Sequence, residues 1–99
     1  EIPPLVVRFH GRKVIARFLR RLYAIAKRLD PEALVTYASF PSTEFLELDF
    51  VDFHTMNLYL LEPRALASYL DRMLVMAKGK PVVLGEVGED SLRGGEEHQ

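Results

Sequence analysis

Hydrophobic residues recur along this chain with two rhythms. Over residues 12–29, Val14, Ile15, Phe18, Leu19, Leu22, Ile25, Ala26 and Leu29 return every three or four positions, while Lys13, Arg17, Arg20, Arg21 and Arg28 fall between them. That period predicts an amphipathic helix with one buried stripe. Gly11 precedes the run and Asp30-Pro31 ends it, because the residue before a proline avoids the helical region. A second helix is predicted from Pro63, where a first-turn proline costs nothing, with Leu66, Tyr69, Leu70, Met73, Leu74 and Ala77 as its apolar stripe. Lys78-Gly79-Lys80-Pro81 stops it, with Gly79 expected at the C-cap.

Between and after these helices lie short apolar runs. Leu34 to Ala38 is β-branched and aromatic and reads as a strand. Phe40 to Thr43 reads as a loop, since Pro41 blocks a longer strand, and Ser42 or Thr43 is placed to cap a brief helical turn over Glu44 to Leu48. Val51 to Asn57 is a second strand candidate. Val82-Val83-Leu84 is a third, continuously apolar as a strand covered on both faces would be. Strands alternating with helices predict an α/β fold with a parallel sheet. The three strands differ too much to be internal repeats.

Composition narrows the classes. Ninety-nine residues, 48% hydrophobic and 27% charged, suit one small globular domain. Thirteen basic against fourteen acidic residues give a net charge of −1, so bulk charge points to neither nucleic acid nor membrane. Seven of the basic residues lie between Arg12 and Arg28, but they flank a stripe expected to be buried, so no nucleic-acid partner is expected. The absence of cysteine removes disulfides, thiolate metal sites and a cysteine nucleophile. No apolar run approaches the ~20 residues of a membrane span. His10, His54 and His98 lack metal-site spacing, so no metal is expected. No phosphate loop and no Gly-x-Ser-x-Gly elbow occurs, and no cofactor is implied. Glu89, Asp90, Glu96 and Glu97 read as the solvated start of a further helix.

In parallel α/β sheets, ligands gather at the C-terminal ends of the strands. Those ends offer Tyr37, Ala38 and Ser39, then His54, Asn57 and Tyr59, then Glu86. Glu86 is the sharpest candidate. It follows an apolar run and sits between Gly85 and Gly88, where a backbone turn and close ligand approach are possible. A carboxylate in a strand interior would need a partner; at a strand's rim it is free to do acid/base or nucleophilic work. The plainer reading is a helix cap or an ion pair with an arginine.

Val82 to Gly88, VVLGEVG, resembles the seventh-strand nucleophile motif of clan-A glycoside hydrolases, which are retaining enzymes on a (β/α)8 barrel. Asp52 to Tyr59, DFHTMNLY, resembles the sixth strand of family 2 barrel domains, where an Asn and a Tyr lie near the nucleophile. Glu1-Ile2-Pro3 followed by Val7-Arg8-Phe9-His10-Gly11 resembles the stretch after the fourth strand, whose closing Glu is the general acid/base. The likeness covers nearly the whole chain and is to bacterial family 2-like barrel modules, some of them joined to family 2 glycosyltransferases.

The resemblance implies a partial (β/α)8 TIM barrel, with parallel strands five to seven and their helices. Residues 1–99 are then expected to be a fragment of a glycoside hydrolase barrel domain, truncated at both ends and doubtful in activity alone. Glu86 matches the nucleophile and Glu1 the acid/base. Tyr59 is expected to orient Glu86, Asn57 or His54 to meet sugar hydroxyls, and His10 to contact sugar from a loop beside the site, with Tyr37 at the neighbouring strand end. The implied partners are an oligo- or polysaccharide, the rest of the barrel and a fused glycosyltransferase domain. The alternative is a non-catalytic carbohydrate-binding or scaffold module.

Overall fold

The computed structural model describes residues 2–60 and 62–88. Along them run α1 (Pro4–His10), α2 (Arg12–Leu29), β1 (Ala38–Ser39), a 3-10 turn (Pro41–Thr43), β2 (His54–Leu58), α3 (Pro63–Met76) and β3 (Val82–Val87). The strands form one parallel sheet in the order β1-β2-β3. The predicted α/β class and parallel sheet are therefore present.

Both long helices follow their sequence signals. α2 occupies residues 12–29, and its C-cap is Asp30, whose N–H reaches the Ala26 carbonyl. Before α3, the Glu62 carboxylate accepts from the Arg64 and Ala65 N–H groups, satisfying two donors of the first turn. The C-cap is Ala77, not Gly79; Lys78 and Gly79 follow it with φ of 52° and 86°. α1 is a departure, because no helix was expected before Gly11 and His10 was expected in a loop. Pro4 opens its first turn, and Gly11, at φ 83°, turns the chain from α1 into α2.

The strands differ more from expectation. β1 holds two residues instead of Leu34 to Ala38. Upstream, the Asp52 carboxylate accepts from the Val35 N–H at 2.7 Å, and the Asp52 N–H donates to the Val35 carbonyl at 2.9 Å. A side chain thus takes the position of a ladder partner. β2 begins at His54, since residues 51–53 bend and Val51 turns its side chain into the core. β3 runs past Leu84 to Val87, so Glu86 lies within the strand.

The core has two parts. Val7, Ile15 and Leu19 of the first two helices pack on Leu46, Leu48 and Val51, with Tyr37 and Phe50 at the border. Met56 and Leu58 of β2 pack on Tyr69 and Met73 of α3. Of the predicted α2 stripe, only Ile15 and Leu19 are buried; Val14, Phe18, Leu22, Ile25 and Leu29 remain 43–79% exposed. The buried line is the pair one turn apart that meets residues 46–51, and among the described residues nothing covers the adjacent line. On α3, Leu74 points to solvent. Val83 and Leu84 are also partly exposed, so the described residues do not cover β3 on both faces.

Side chains alternate across a strand. Met56 and Leu58 face α3, so Thr55 and Asn57 face the other side of the sheet. That open face is polar: the Thr36 and Thr55 hydroxyls lie 3.2 Å apart on it, and the Thr36 hydroxyl donates to the Phe53 carbonyl at 2.6 Å.

Candidate active site

The site is built by an irregularity in the β2–β3 ladder. His54 pairs with Val82, Thr55 with Val83 and Met56 with Leu84. Asn57 then pairs with Glu86 and Leu58 with Val87, leaving Gly85 as an extra residue in β3. In a regular ladder Glu86 would stand beside Leu58, facing the apolar contact with α3. The β-bulge moves it by one place, onto the open face beside Asn57.

There the Glu86 carboxylate is held by both oxygens. The Asn57 Nδ2 donates to Oε1 at 2.9 Å, and the Tyr59 hydroxyl donates to Oε2 at 2.5 Å. Asn57 is 5% exposed and Tyr59 is 58% exposed, so the carboxylate spans from the sheet to the solvent. Among the described residues no cation pairs with Glu86. Phe40, Pro41 and Ser42, following β1, and Leu60, following β2, complete a cleft of about 370 Å³ around these three side chains. A carboxylate held by two donors at the end of a parallel sheet, beside an aromatic wall, can present a fixed oxygen to an electrophile or a hydroxyl-rich ligand.

The other expected residues lie elsewhere. Glu1 falls outside the described residues, as do His98 and the acidic residues after Gly88. His10 ends α1, exposed, with its ring edge-on to Phe9 at 4.9 Å. The Tyr37 hydroxyl accepts from the Ile2 N–H at 2.8 Å, and its ring packs against the α1–α2 cluster. His54 starts β2 on the face of Met56, with burial and the nearby Lys80 charge both lowering its pKa. Three strand steps separate it from Asn57, about 10 Å along the chain. Tyr37 and His54 instead line a larger hollow of about 640 Å³, together with Leu48, Met56, Met73 and Met76.

Sequence reasoning missed Phe40 and Ser42 as walls of the cleft. Phe40 and Ser42 lie directly after a strand's C-terminal end, and that position was the available signal.

No protein-family model, no curated protein and no solved structure matches this chain.

Proposed function

We propose that this chain carries the nucleophile half of a retaining glycoside hydrolase module, and that β1, β2 and β3 form an arc of a (β/α)8 barrel. The observation that carries the reading is the Glu86 carboxylate, turned onto the open sheet face by the bulge and gripped by Asn57 and Tyr59. In this reading a Glu86 oxygen attacks the anomeric carbon of a β-linked sugar as the leaving oxygen departs, giving a glycosyl-enzyme. Two hydrogen bonds fix the attacking carboxylate in one orientation, which limits the reorganisation needed at the reacting centre. As the carboxylate becomes an ester its charge falls, and Tyr59 and Asn57 are then available to the sugar. Protonation of the leaving group falls to a second carboxylic acid about 5–5.5 Å from the first. The sequence resemblance assigns that role to Glu1.

The barrel reading draws support from three features. The strands follow in sequential order, α3 packs on Met56 and Leu58 of β2, and the paired Asn57 and Glu86 of the site face the other side of the sheet. The exposed α2 line and the outer edges of β1 and β3, which pair with no further strand among the described residues, are surfaces that neighbouring strand–helix units would cover.

The test is covalent labelling. A 2-deoxy-2-fluoro β-glycoside with a good leaving group is expected to add one glycosyl mass to the protein, on the peptide containing Glu86, and not to Glu86→Gln. A panel of such reagents that leaves the protein unmodified, or that labels another residue, overturns the assignment.

One observation favours a second reading. The bonds from Asn57 and Tyr59 also latch β3 to β2, which a non-catalytic carbohydrate-binding or scaffold module would retain for stability alone. Under that reading sugars bind, no label forms, and Glu86→Gln changes unfolding without changing any turnover.

A further inference from the structure

We infer that Gly85 is a positioning residue for Glu86, acting through the space its missing side chain leaves for Asn57. The inference rests on the nucleophile reading of Glu86 and extends it to a residue that touches no substrate.

Glycine is used for one of two reasons: a backbone angle that other residues avoid, or a lack of volume. The described glycines with a positive φ are Gly11, Gly79 and Gly88. Gly85 has no positive φ, so conformation does not explain it. Volume does. A Cβ at position 85 would lie 2.7 Å from Asn57 Oδ1 and 2.9 Å from Thr55 Cγ2, closer than real Cβ atoms come to such neighbours.

Neither neighbour is free to withdraw. The Asn57 carboxamide is buried, and its other end is bonded to Glu86 Oε1 at 2.9 Å. Moving Oδ1 away from position 85 swings Nδ2 out of line with the carboxylate. Thr55 is held by its hydroxyl, 3.2 Å from the Thr36 hydroxyl, which is itself bonded to the Phe53 carbonyl. An alanine methyl at position 85 therefore relaxes by the weaker route, through the Asn57–Glu86 contact. The same residue is the extra member of the bulge that turns Glu86 to the open face. One position thus sets both which face the carboxylate occupies and the room for the amide that holds it.

The experiment is a double-mutant cycle in the intact barrel module that the nucleophile reading supposes, with two readouts. The first is the Asn57 side-chain amide pair in ¹⁵N NMR spectra. The second is the rate of covalent labelling by the fluoroglycoside. Gly85→Ala is expected to keep the far-UV spectrum and cooperative unfolding, to shift the Asn57 amide pair as Glu86→Gln does, and to slow labelling at least tenfold. In an Asn57→Gly background, where the obstructing Oδ1 is gone, adding Gly85→Ala is expected to slow labelling no further. If Gly85→Ala fails to fold, Thr55→Ser/Gly85→Ala, which removes the Cγ2 contact, carries the same test.

An unshifted Asn57 amide pair in the folded Gly85→Ala variant overturns the inference. So does an equal loss in both backgrounds, which would mean that position 85 acts without Asn57. A wild-type module that takes no label defeats the nucleophile reading alone, and the amide resonances still decide whether Gly85 positions Glu86.

Discussion

Asn57 and Glu86 stand opposite each other across β2 and β3, joined at 2.9 Å, one residue out of step with the ladder that precedes them. The displacement turns a carboxylate away from the Leu58 side of the sheet and towards the open cleft. A buried amide then holds one carboxylate oxygen while an exposed phenol holds the other.

The two donors are unequal in burial, and their removal should have unequal effects. Tyr59 is mostly exposed, so in Tyr59→Phe water replaces its hydroxyl on Glu86 Oε2. Unfolding by urea is expected to change by less than ~1 kcal/mol, since a net hydrogen bond contributes about that much even when well protected. Labelling of Glu86 is expected to slow by about tenfold, or 1.4 kcal/mol in the barrier, because the carboxylate loses a fixed orientation. A large loss of stability with unchanged labelling would make Tyr59 a structural latch.

Asp52 predicts an acid-sensitive fold. Its carboxyl pKa is lowered from 3.8 to about 2, first by the Val35 N–H, then by Lys27 and the Tyr23 hydroxyl. Lys27 Nζ lies 2.9 Å from one carboxylate oxygen, and the Tyr23 hydroxyl donates to the other at 2.8 Å. A group whose pKa is lower in the folded state stabilises it above the unfolded value and stops doing so as the pH falls through the folded one. The thermal midpoint is therefore expected to drop between about pH 4 and pH 2 more steeply in the wild-type chain than in Asp52→Asn. Circular dichroism melts across that range check it; parallel curves would remove Asp52 from the acid response.

The legible parts of this molecule are those fixed by neighbours in sequence. α2 and α3 are readable because a 3.6-residue period, a proline at the start of α3 and the Asp30-Pro31 stop all act within a few residues. Glu86, Asn57 and Tyr59 are readable because each lies at the end of a strand in a parallel sheet. The bulge was not legible, because it is a relation between two strands and leaves no mark on either alone. The shortness of β1 was not legible because the Asp52 side chain, seventeen residues on, satisfies the Val35 N–H. His54 was misplaced by one step of strand parity, which put it on the face of Met56. α1 escaped notice because Leu5, Val6, Val7 and Phe9 show no clean period, and only Val7 is buried.

Packing beneath the site is tight and should be unforgiving. Leu58 is fully buried and Met56 nearly so, both against Tyr69 and Met73 of α3. Leu58→Ala is expected to cost about 3 kcal/mol through lost burial and the cavity left behind. Leu74→Ala, on the outer side of the same helix, is expected to change stability by less than ~0.5 kcal/mol. Urea titrations of the two variants check the contrast. Similar losses in both would mean that Leu74 is covered in solution.

The exposed line on α2 has a consequence for the isolated chain. Phe18 and Leu22 lie one turn apart, 52% and 47% exposed, with Val14 and Ile25 continuing the line in either direction. Arg17, Arg21 and Arg28 border it, and none of them forms an ion pair among the described residues. Contiguous apolar patches of this kind are normally covered by a partner surface. In the barrel reading a neighbouring unit covers this one; with 99 residues alone, copies are expected to cover each other. Sedimentation velocity should then show self-association that grows with protein concentration. Added salt should strengthen it, by screening the bordering arginines from one another. Phe18→Glu/Leu22→Glu is expected to restore the monomer while leaving the urea midpoint nearly unchanged, because neither side chain belongs to the buried Ile15–Leu19 line. A wild-type chain that stays monomeric at high concentration and high salt would mean that the line is solvated as it stands, and would remove one of the supports for the barrel arc.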